Sequence, residues 1–378
     1  MLELTGGVHM GYLMIKTLAF LLLFTIAYPN CAHAEIPIVD GFSASIHAWN
    51  LTHAQREYER YAPHQYKEIA DNLIAYQNED GGWPKNIDWL AQLQPAEVLS
   101  GLKRWERDST VDNWNTYSQI RYLAHVYTLT GEEQYKDSAL RGLLYLLNTQ
   151  DANGAWWGSD VKSPTLNDNV TTGVLSLFLD ILYGDEHFSW LSDEYMQDIQ
   201  TAFNHGLDFI LRAQVVQSGV KTAWAQQYTN EALVPTGARA YELPAIASQE
   251  SCYILNLLMD IRNPNDDVKE SINSAVKWLR QVGINQFRLE KTYKEIPMRE
   301  YPYDLIGVRD EKAPPIWSRY YDVLDNTPFM CTRKGEKVYD ISELSYERRV
   351  GYSWYGYWPE EVFEKYAIWS KKHMTTGN

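Results

Sequence analysis

The sequence predicts a mainly α fold: an (α/α) toroid or barrel of helical hairpins with a loop-rich, partly β C-terminal face. Apolar residues recur at helical spacing along most of the chain, and a Gln…Gly…Trp turn repeats at the ends of predicted helices. Beyond about residue 263 proline breaks this pattern, and tyrosine and arginine become frequent. Clear strand alternation is scarce, so helices must form most of the core.

The helices are predicted from their apolar stripes. The spacing i, i+3, i+4, i+7, i+8, which places residues on one helix face, is followed by Tyr66, Ile69, Ala70, Leu73 and Ile74. Similar stripes predict further helices around residues 120–127, 135–146, 199–210 and 254–259.

A weak internal repeat indicates how these helices are arranged. The segment from Gln77 to Trp83 is echoed from Gln150 to Trp156, and a looser copy runs from Gln214 to Trp224. Each interval accommodates a pair of helices with loops. Glycine and tryptophan could merely mark helix ends, but three copies favour a toroid of α/α hairpins.

Residues 1–34 resemble a secretion signal, with Lys16 ahead of an apolar run and Ala32-His33-Ala34 as a cleavage site. The apolar run is too short to span a bilayer. We therefore predict a secreted protein, extracellular or periplasmic, in which residues 35–378 form a single toroid domain. We expect a monomer that does not associate with a membrane after cleavage of the signal.

The chain has a net charge of −15, which excludes nucleic acid and anionic membranes as partners. A polyanionic substrate would have to be bound by a local cluster of lysine, arginine or a bound cation. Two cysteines, Cys252 and Cys331, remain after cleavage. The sequence leaves open whether they form a disulfide.

Several functional classes lack their motifs. The nine histidines show no zinc-binding spacing, and the chain has no dinucleotide fingerprint, P-loop or Gly-x-Ser-x-Gly elbow. Carboxylates, amides, cationic side chains and aromatics remain. An exported toroid lined with tryptophan and tyrosine points to a polysaccharide, although core packing must account for most of these rings.

Two acid–amide clusters are candidates for chemistry. They are Val111-Asp112-Asn113 and Asn167-Asp168-Asn169, and each precedes a predicted helix. Carboxylate and amide oxygens are the hard ligands that calcium or magnesium prefers. Aspartate and asparagine are also preferred helix N-caps, which is the ordinary alternative.

Three longer motifs show a family resemblance. They are Gly-Gly-Trp-Pro-Lys-Asn at 81–86, Ala-Arg-Ala-Tyr-Glu-Leu-Pro at 238–244, and Glu-Arg-Arg-Val-Gly-Tyr-Ser-Trp-Tyr-Gly at 347–356. Together they resemble the family 10 pectate lyases over nearly the whole chain after the signal. The resemblance implies an (α/α) toroid that cleaves polygalacturonate by calcium-dependent β-elimination.

The resemblance also implies roles for individual residues. Asp112 and Asp168 correspond to the calcium ligands, and Asn113 completes the first Asp-Asn motif as a substrate-binding residue. Arg239 corresponds to the proposed catalytic base. Arg319 and Arg333 resemble the arginines that bind substrate carboxylates.

Trp83 and Lys85 follow a repeat turn on the rim assigned to the cleft, so we expect both to contact substrate. A lysine there could bind a uronate carboxylate. An exposed lysine without a role is the ordinary alternative.

The chemistry of galacturonate explains why a cation would be needed. Removal of the C5 hydrogen puts a second negative charge on an anionic sugar, and calcium on its carboxylate would offset this. Two aspartates with water and the uronate would suffice, so the site should be weak or empty without substrate.

An arginine base requires an unusual pKa. Lowering the pKa of Arg239 to about 9.5 needs roughly 4 kcal/mol of differential interaction, which calcium and other arginines could supply. We therefore expect an alkaline pH optimum. The ordinary alternative for Arg239 is a buried ion pair with Glu242 or Glu250.

Other functions remain open from the residues alone. An inverting glycoside hydrolase could use Asp112 and Asp168 as general acid and base. A non-catalytic polysaccharide-binding protein is a second alternative.

Overall fold

A computed structural model describes residues 35–52, 58–293 and 301–374. The predicted secretion signal, residues 1–34, lies outside the described residues.

Helices dominate the described chain, as predicted from the apolar stripes. The α-helices are α1 (Ser43–Thr52), α2 (Tyr66–Tyr76), α3 (Pro95–Gly101), α4 (Tyr117–Thr130), α5 (Glu133–Thr149), α6 (Val170–Leu182), α7 (Asp193–Ala213), α8 (Ser248–Asp260), α9 (Asp266–Val282), α10 (Tyr346–Val350) and α11 (Pro359–His373). Short 3₁₀ turns lie at Asp40–Phe42, Arg104–Arg107, Asp112–Trp114, Asn167–Asn169, Glu186–Phe188 and Ile341–Glu343.

The long helices pair as antiparallel hairpins and stack in two rows. Helix α4 packs against α5, α6 against α7, and α8 against α9, and α4, α6, α8 and α11 follow one another along one row. Helices α2, α5, α7 and α9 form the second row. The predicted mainly α, (α/α) toroid is confirmed.

The repeated tryptophans perform the same structural task in each hairpin. Each is fully or almost fully buried, and its indole N–H donates to a main-chain carbonyl of the preceding helix. The bonds are Trp83 to Leu73 at 2.8 Å, Trp156 to Leu146 at 2.9 Å, and Trp224 to Ile210 at 2.8 Å. A fourth bond, from Trp317 to Leu279 at 2.8 Å, reveals a fourth copy of the turn.

The glutamine of each turn joins it to the next helix. Gln77, Gln150 and Gln214 each donate through Nε2 to one carbonyl in their own turn and to another in the next helix of the second row. Gly81 and Gly154 have φ of +94° and +98°, and a Cβ on either would collide with a carbonyl of that helix. The repeat is therefore a hydrogen-bonded joint between hairpins.

The C-terminal part supplies most of the strands, as predicted. The strands are β1 (Val216–Gln217), β2 (Val220–Lys221), β3 (Gln227–Tyr228), β4 (Pro235–Thr236), β5 (Ile246–Ala247), β6 (Phe287–Thr292), β7 (Asp304–Arg309), β8 (Trp317–Ser318), β9 (Tyr320–Tyr321), β10 (Pro328–Cys331), β11 (Lys337–Val338) and β12 (Tyr355–Gly356). The largest sheet has the order β11-β10-β9-β5, and its antiparallel register pairs Ala247 with Tyr320 and Phe329 with Tyr320.

The described residues from Ile36 onward belong to one compact unit. Cys252 and Cys331 are both buried and free, so they do not form a disulfide with each other. In the described ranges, no helix has the length and apolar character needed to cross a bilayer.

Replacing Gln214 with alanine should lower the free energy of unfolding by about 2–4 kcal/mol, because two buried carbonyls lose their donor. Chemical denaturation of the variant measures this loss. The matched control is Gln200→Ala on the exposed face of α7, where the side chain bonds only Asn204, and a change within about 0.5 kcal/mol is expected. Equal effects of the two substitutions would show that the turn glutamine is not a structural joint.

Candidate functional site

The two acid–amide clusters form short 3₁₀ turns immediately before α4 and α6. Left-handed backbone conformations occur at Asn113 (φ 53°), Asp168 (φ 50°) and Asn169 (φ 57°), which asparagine and aspartate tolerate better than most residues. The N-cap residues of the two helices are Thr116 and Asn169, and neither makes a side-chain capping bond. The capping alternative therefore does not explain these clusters.

Asp112 is buried and bound by donors. Its Oδ2 accepts hydrogen bonds from Lys85 Nζ at 2.7 Å and from Ser159 Oγ at 2.7 Å. Burial alone would raise the pKa of Asp112, but the charge of Lys85 and these hydrogen bonds outweigh burial and lower it. Asp112 is therefore held as a carboxylate.

Asp168 has the opposite environment. Its Oδ2 accepts from Asn167 Nδ2 at 2.8 Å, and within the described chain it has no ion-pair partner. Burial, and then the negative charge of Asp112, raise the pKa of Asp168 to about 7 against the opposing charge of Arg319. The positive charge around Asp112 and Asp168 is therefore too small to neutralise both carboxylates.

This deficit suits a divalent cation. The donor set is two aspartate carboxylates with asparagine oxygens close by, which is the hard-oxygen chemistry of calcium. Among the described residues, no group of three or more His, Cys, Asp or Glu could hold a metal ion. A cation at Asp112 and Asp168 would therefore need further ligands from water or substrate.

Arg319 lies beside this pair and is itself buried. It forms an ion pair with Glu250, and its guanidinium also lies 3.3 Å from Asn167 Oδ1. Gln226 joins the same groups, donating through Nε2 to Asn167 Oδ1 at 2.9 Å and to Glu250 Oε1 at 2.8 Å. One network thus connects the second acid–amide cluster to Arg319.

Arg239 pairs with Glu242. Its Nε donates to Glu242 Oε2 at 2.9 Å, a second nitrogen bonds Oε1, and Asp160 lies 3.5 Å away. Burial alone would lower the pKa of Arg239, but the hydrogen bonds and charge of Glu242 raise it overall. The predicted lowering of this pKa is therefore wrong for the arrangement in the structure, in which the ion pair with Glu242 forms.

Four arginines surround two tyrosine rings. The ring centroid of Tyr241 lies 5.1 Å from Arg239, 4.6 Å from Arg333 and 4.6 Å from Arg348. Tyr352 lies 4.6 Å from Arg319 and 4.7 Å from Arg348. We call these six residues the arginine–tyrosine row. Stacking on aromatic faces holds guanidinium groups of like charge close together.

Arg348 is the member of the row that sequence reasoning missed. It is only 3% exposed, and its Nε and one terminal nitrogen have no acceptor among the described residues. Burial, and then the charge of Arg333, lower the pKa of Arg348. The Glu-Arg-Arg motif at 347–349, in which Arg348 lies, is the sequence feature that could have indicated its place in the site.

The remaining predicted residues lie around this centre. Lys85, besides its bond to Asp112, lies 3.8 Å from Asp160, which also approaches Arg239. Asn113 donates to Asn86 Oδ1 at 2.7 Å. Arg333 is half exposed and pairs with Glu347. The structure thus brings seven of the eight predicted side chains to one region.

Trp83 is the exception. It is fully buried and its N–H bonds Leu73, so its ring has no exposed face for a sugar. The prediction that Trp83 contacts substrate is wrong, because the repeat places this ring in the core. Trp105 and Trp157, which are 55% and 40% exposed, are the nearby rings that solvent can reach.

The chain is similar to known proteins over most of its length. A family model described as pectic acid lyase matches residues 77–363, a span that contains every predicted site residue. The chain belongs to the pectic acid lyase family. No curated protein matches the chain.

Two solved structures extend the comparison of this pectic acid lyase. A family 10 polysaccharide lyase from Cellvibrio cellulosa is 27% identical with a TM-score of 0.66, covering 90% of this chain and 98% of that chain. An Asp-to-Ala mutant of a family 10 lyase from the same organism, in complex with trigalacturonic acid, is 27% identical with a TM-score of 0.65, covering 89% and 99%. The resemblance to family 10 pectate lyases is confirmed.

The raised pKa of Asp168 predicts a pH-dependent stability effect. Its ionised form is disfavoured in the fold, so the penalty is present above about pH 7 and disappears as pH falls towards the unfolded pKa of about 4. Asp168→Asn should therefore stabilise the metal-free protein by about 1–3 kcal/mol at pH 8, with little gain at pH 5.

Thermal or urea unfolding in chelator at both pH values measures this difference. Asp198→Asn, at an exposed position on α7, is the matched control and should show no such pH dependence. A stability gain for Asp168→Asn that is equal at pH 5 and pH 8 would contradict the environment described for Asp168.

Proposed function

We propose that this pectate lyase is a secreted enzyme that cleaves α-1,4-polygalacturonate by calcium-dependent β-elimination, releasing unsaturated oligogalacturonides. The observation that carries the proposal is the arginine–tyrosine row beside the carboxylates of Asp112 and Asp168. An acidic protein with a net charge of −15 concentrates four guanidinium groups at this one place. A substrate with closely spaced carboxylates matches that charge.

Polygalacturonate fits the row in its chemistry. Arginine forms planar, paired hydrogen bonds with carboxylates, and each unit of the polymer carries one carboxylate. A similar solved structure is a complex with trigalacturonic acid. We assign Arg319, Arg333 and Lys85 to the substrate carboxylates, and Asn113 to the neighbouring hydroxyls.

Asp112 and Asp168 would hold the calcium ion. The raised pKa of Asp168 and the absence of an ion-pair partner in its described surroundings support this assignment. When bound, calcium would offset the charge of the uronate carboxylate and stabilise the enolate-like species formed at C5. Lys85 pairs with Asp112 in the structure. With calcium at Asp112, Lys85 would turn towards a substrate carboxylate.

Arg239 is the proposed base that removes the C5 proton. Its side chain is 40% exposed, so substrate can reach it. The ion pair with Glu242 keeps Arg239 protonated, so the base form must be generated by weakening this pair or by high pH. The proton passes from C5 to the guanidine, the electron pair left on C5 forms the C4–C5 double bond as the C4–O4 bond breaks, and the leaving O4 takes up a proton from water.

One observation also fits the hydrolase alternative. A lowered pKa at Asp112 and a raised pKa at Asp168 are what a general base and a general acid require. The arginine row and the family assignment favour elimination, since hydrolysis does not require cations at the sugar carboxylate. The products distinguish the two reactions.

The purified protein should release unsaturated, ultraviolet-absorbing ends from polygalacturonate, and chelator should abolish this product. Arg239→Ala should lower kcat by about 10²–10⁴-fold, the range for loss of a general base. Arg121→Ala, which removes a surface ion pair with Asp180, is the control and should retain activity. Products without a double bond would exclude elimination.

The role of Arg239 can be tested through its partner. Glu242→Gln removes the charge that raises the pKa of Arg239. The rising limb of the pH–rate profile, along which Arg239 loses its proton, should therefore move about one or two pH units lower, since hydrogen bonds to charged groups contribute about 1.5–3 kcal/mol.

Glu347→Gln is the matched control, because it releases Arg333 in the same row without touching Arg239. It should alter KM and leave the rising limb of the pH–rate profile unchanged. If the limb stays unchanged in Glu242→Gln as well, Arg239 is not the base.

A further inference from the structure

A cavity of about 500 Å³ lies beside the proposed catalytic site and has no role in the reaction as described. Two segments supply most of its lining: the one after the first repeat turn, which includes Lys85 and Trp105, and the one after the second, which includes Trp157 and Lys162. We call it the loop cavity. Its volume is within the range of about 300–1,000 Å³ that is typical of small-molecule sites.

The loop cavity adjoins the site through two shared residues. Lys85 and Ser159 line it, and both donate to Asp112 Oδ2, at 2.7 Å each. A sugar bound in the loop cavity would therefore be close to the unit whose carboxylate lies at Asp112. This continuity identifies the occupant of the loop cavity as a further unit of the same polysaccharide substrate.

The chemistry of the walls fits a sugar ring. Trp105 and Trp157 are 55% and 40% exposed, whereas the repeat tryptophans of the core are buried. Flat aromatic surfaces exposed in a concave site are typical of ligand contact. Lys85 and Lys162 provide positive charge, but Glu106 and Asp108 also line the space. The balance of charge favours binding through ring faces over binding through a carboxylate.

We propose that the loop cavity is a distal subsite that binds a further galacturonate unit of the substrate by stacking on Trp105 and Trp157. The inference rests on the proposed function and deepens it. It predicts that longer oligogalacturonates are better substrates than the trimer. Because the subsite binds ring faces, it accepts a methyl-esterified unit as well as an ionised one.

The test compares kcat/KM for a galacturonate heptamer with that for the trimer. In the wild-type protein this ratio should be well above one. In Trp105→Ala and in the double variant with Trp157→Ala the ratio should fall by about fivefold or more, as expected from a loss of stacking. Trp105→Phe, which keeps a flat ring, should restore most of the ratio.

Tyr339→Ala is the matched control, because Tyr339 is 62% exposed and does not line the loop cavity. Its heptamer-to-trimer ratio should equal that of the wild type. A wild-type ratio near one, or an unchanged ratio in the Trp105→Ala variant, would overturn the proposal. Circular dichroism confirms that each variant is folded, and the exposed position of Trp105 makes that single variant the more informative one.

Calorimetric binding in chelator separates this proposal from the proposed function. If the wild type binds the heptamer more tightly than the trimer and Trp105→Ala loses that difference, the subsite exists even if no unsaturated product forms. If product forms but heptamer and trimer bind equally, the subsite is wrong and the lyase assignment stands. Trp105→Ala should weaken the binding of a partly methyl-esterified heptamer and that of the ionised heptamer by a similar factor, and an effect confined to the ionised heptamer would exclude stacking as the main interaction.

Discussion

The structure of the site depends on the electrostatic conflict between Asp112 and Asp168. Two 3₁₀ turns that contain residues in left-handed conformations hold these carboxylates near each other, just before the adjacent helices α4 and α6. Only Asp112 has a direct cationic partner, Lys85, among the described residues. The raised pKa of Asp168 implies that this conflict lowers the stability of the metal-free fold above about pH 7. Like charges are often retained in this way where they serve function. A divalent cation is the simplest species that resolves it.

The arginine–tyrosine row supplies the complementary half of the site. Three of its arginines pair with Glu242, Glu250 and Glu347, whereas Arg348 is enclosed by aromatic rings. The row can therefore remain assembled without substrate, since carboxylates and ring faces offset its own repulsion. A polyuronate would bring its carboxylates to a row that is already assembled, so its binding requires little reorganisation of the arginines.

Sequence patterns predicted the toroid and the two acid–amide clusters because both follow local rules, whereas the roles of Arg239, Arg319 and Arg333 were inferred from the family resemblance. Helical stripes and the first three Gln…Gly…Trp turns are continuous in the sequence and can be recognised there. The fourth turn cannot, because the β6–β7 hairpin separates Trp317 from α9 in the sequence. The same repeat explains the error at Trp83: a tryptophan at each turn serves the core. The pKa of Arg239 depends on the acid that pairs with it, and the sequence offered both Glu242 and Glu250. The structure shows that Glu242 is the partner.

Calcium titration by calorimetry, using the Arg239→Ala variant to prevent turnover, tests the central claim most directly. With trigalacturonate present, calcium should bind clearly more tightly than to the protein alone, because the uronate completes a coordination shell that two aspartates leave open. Adding Asp168→Asn should remove this binding. Calcium binding that is equally strong without the sugar, or that survives the loss of Asp168, would contradict a cation held between these carboxylates and the substrate.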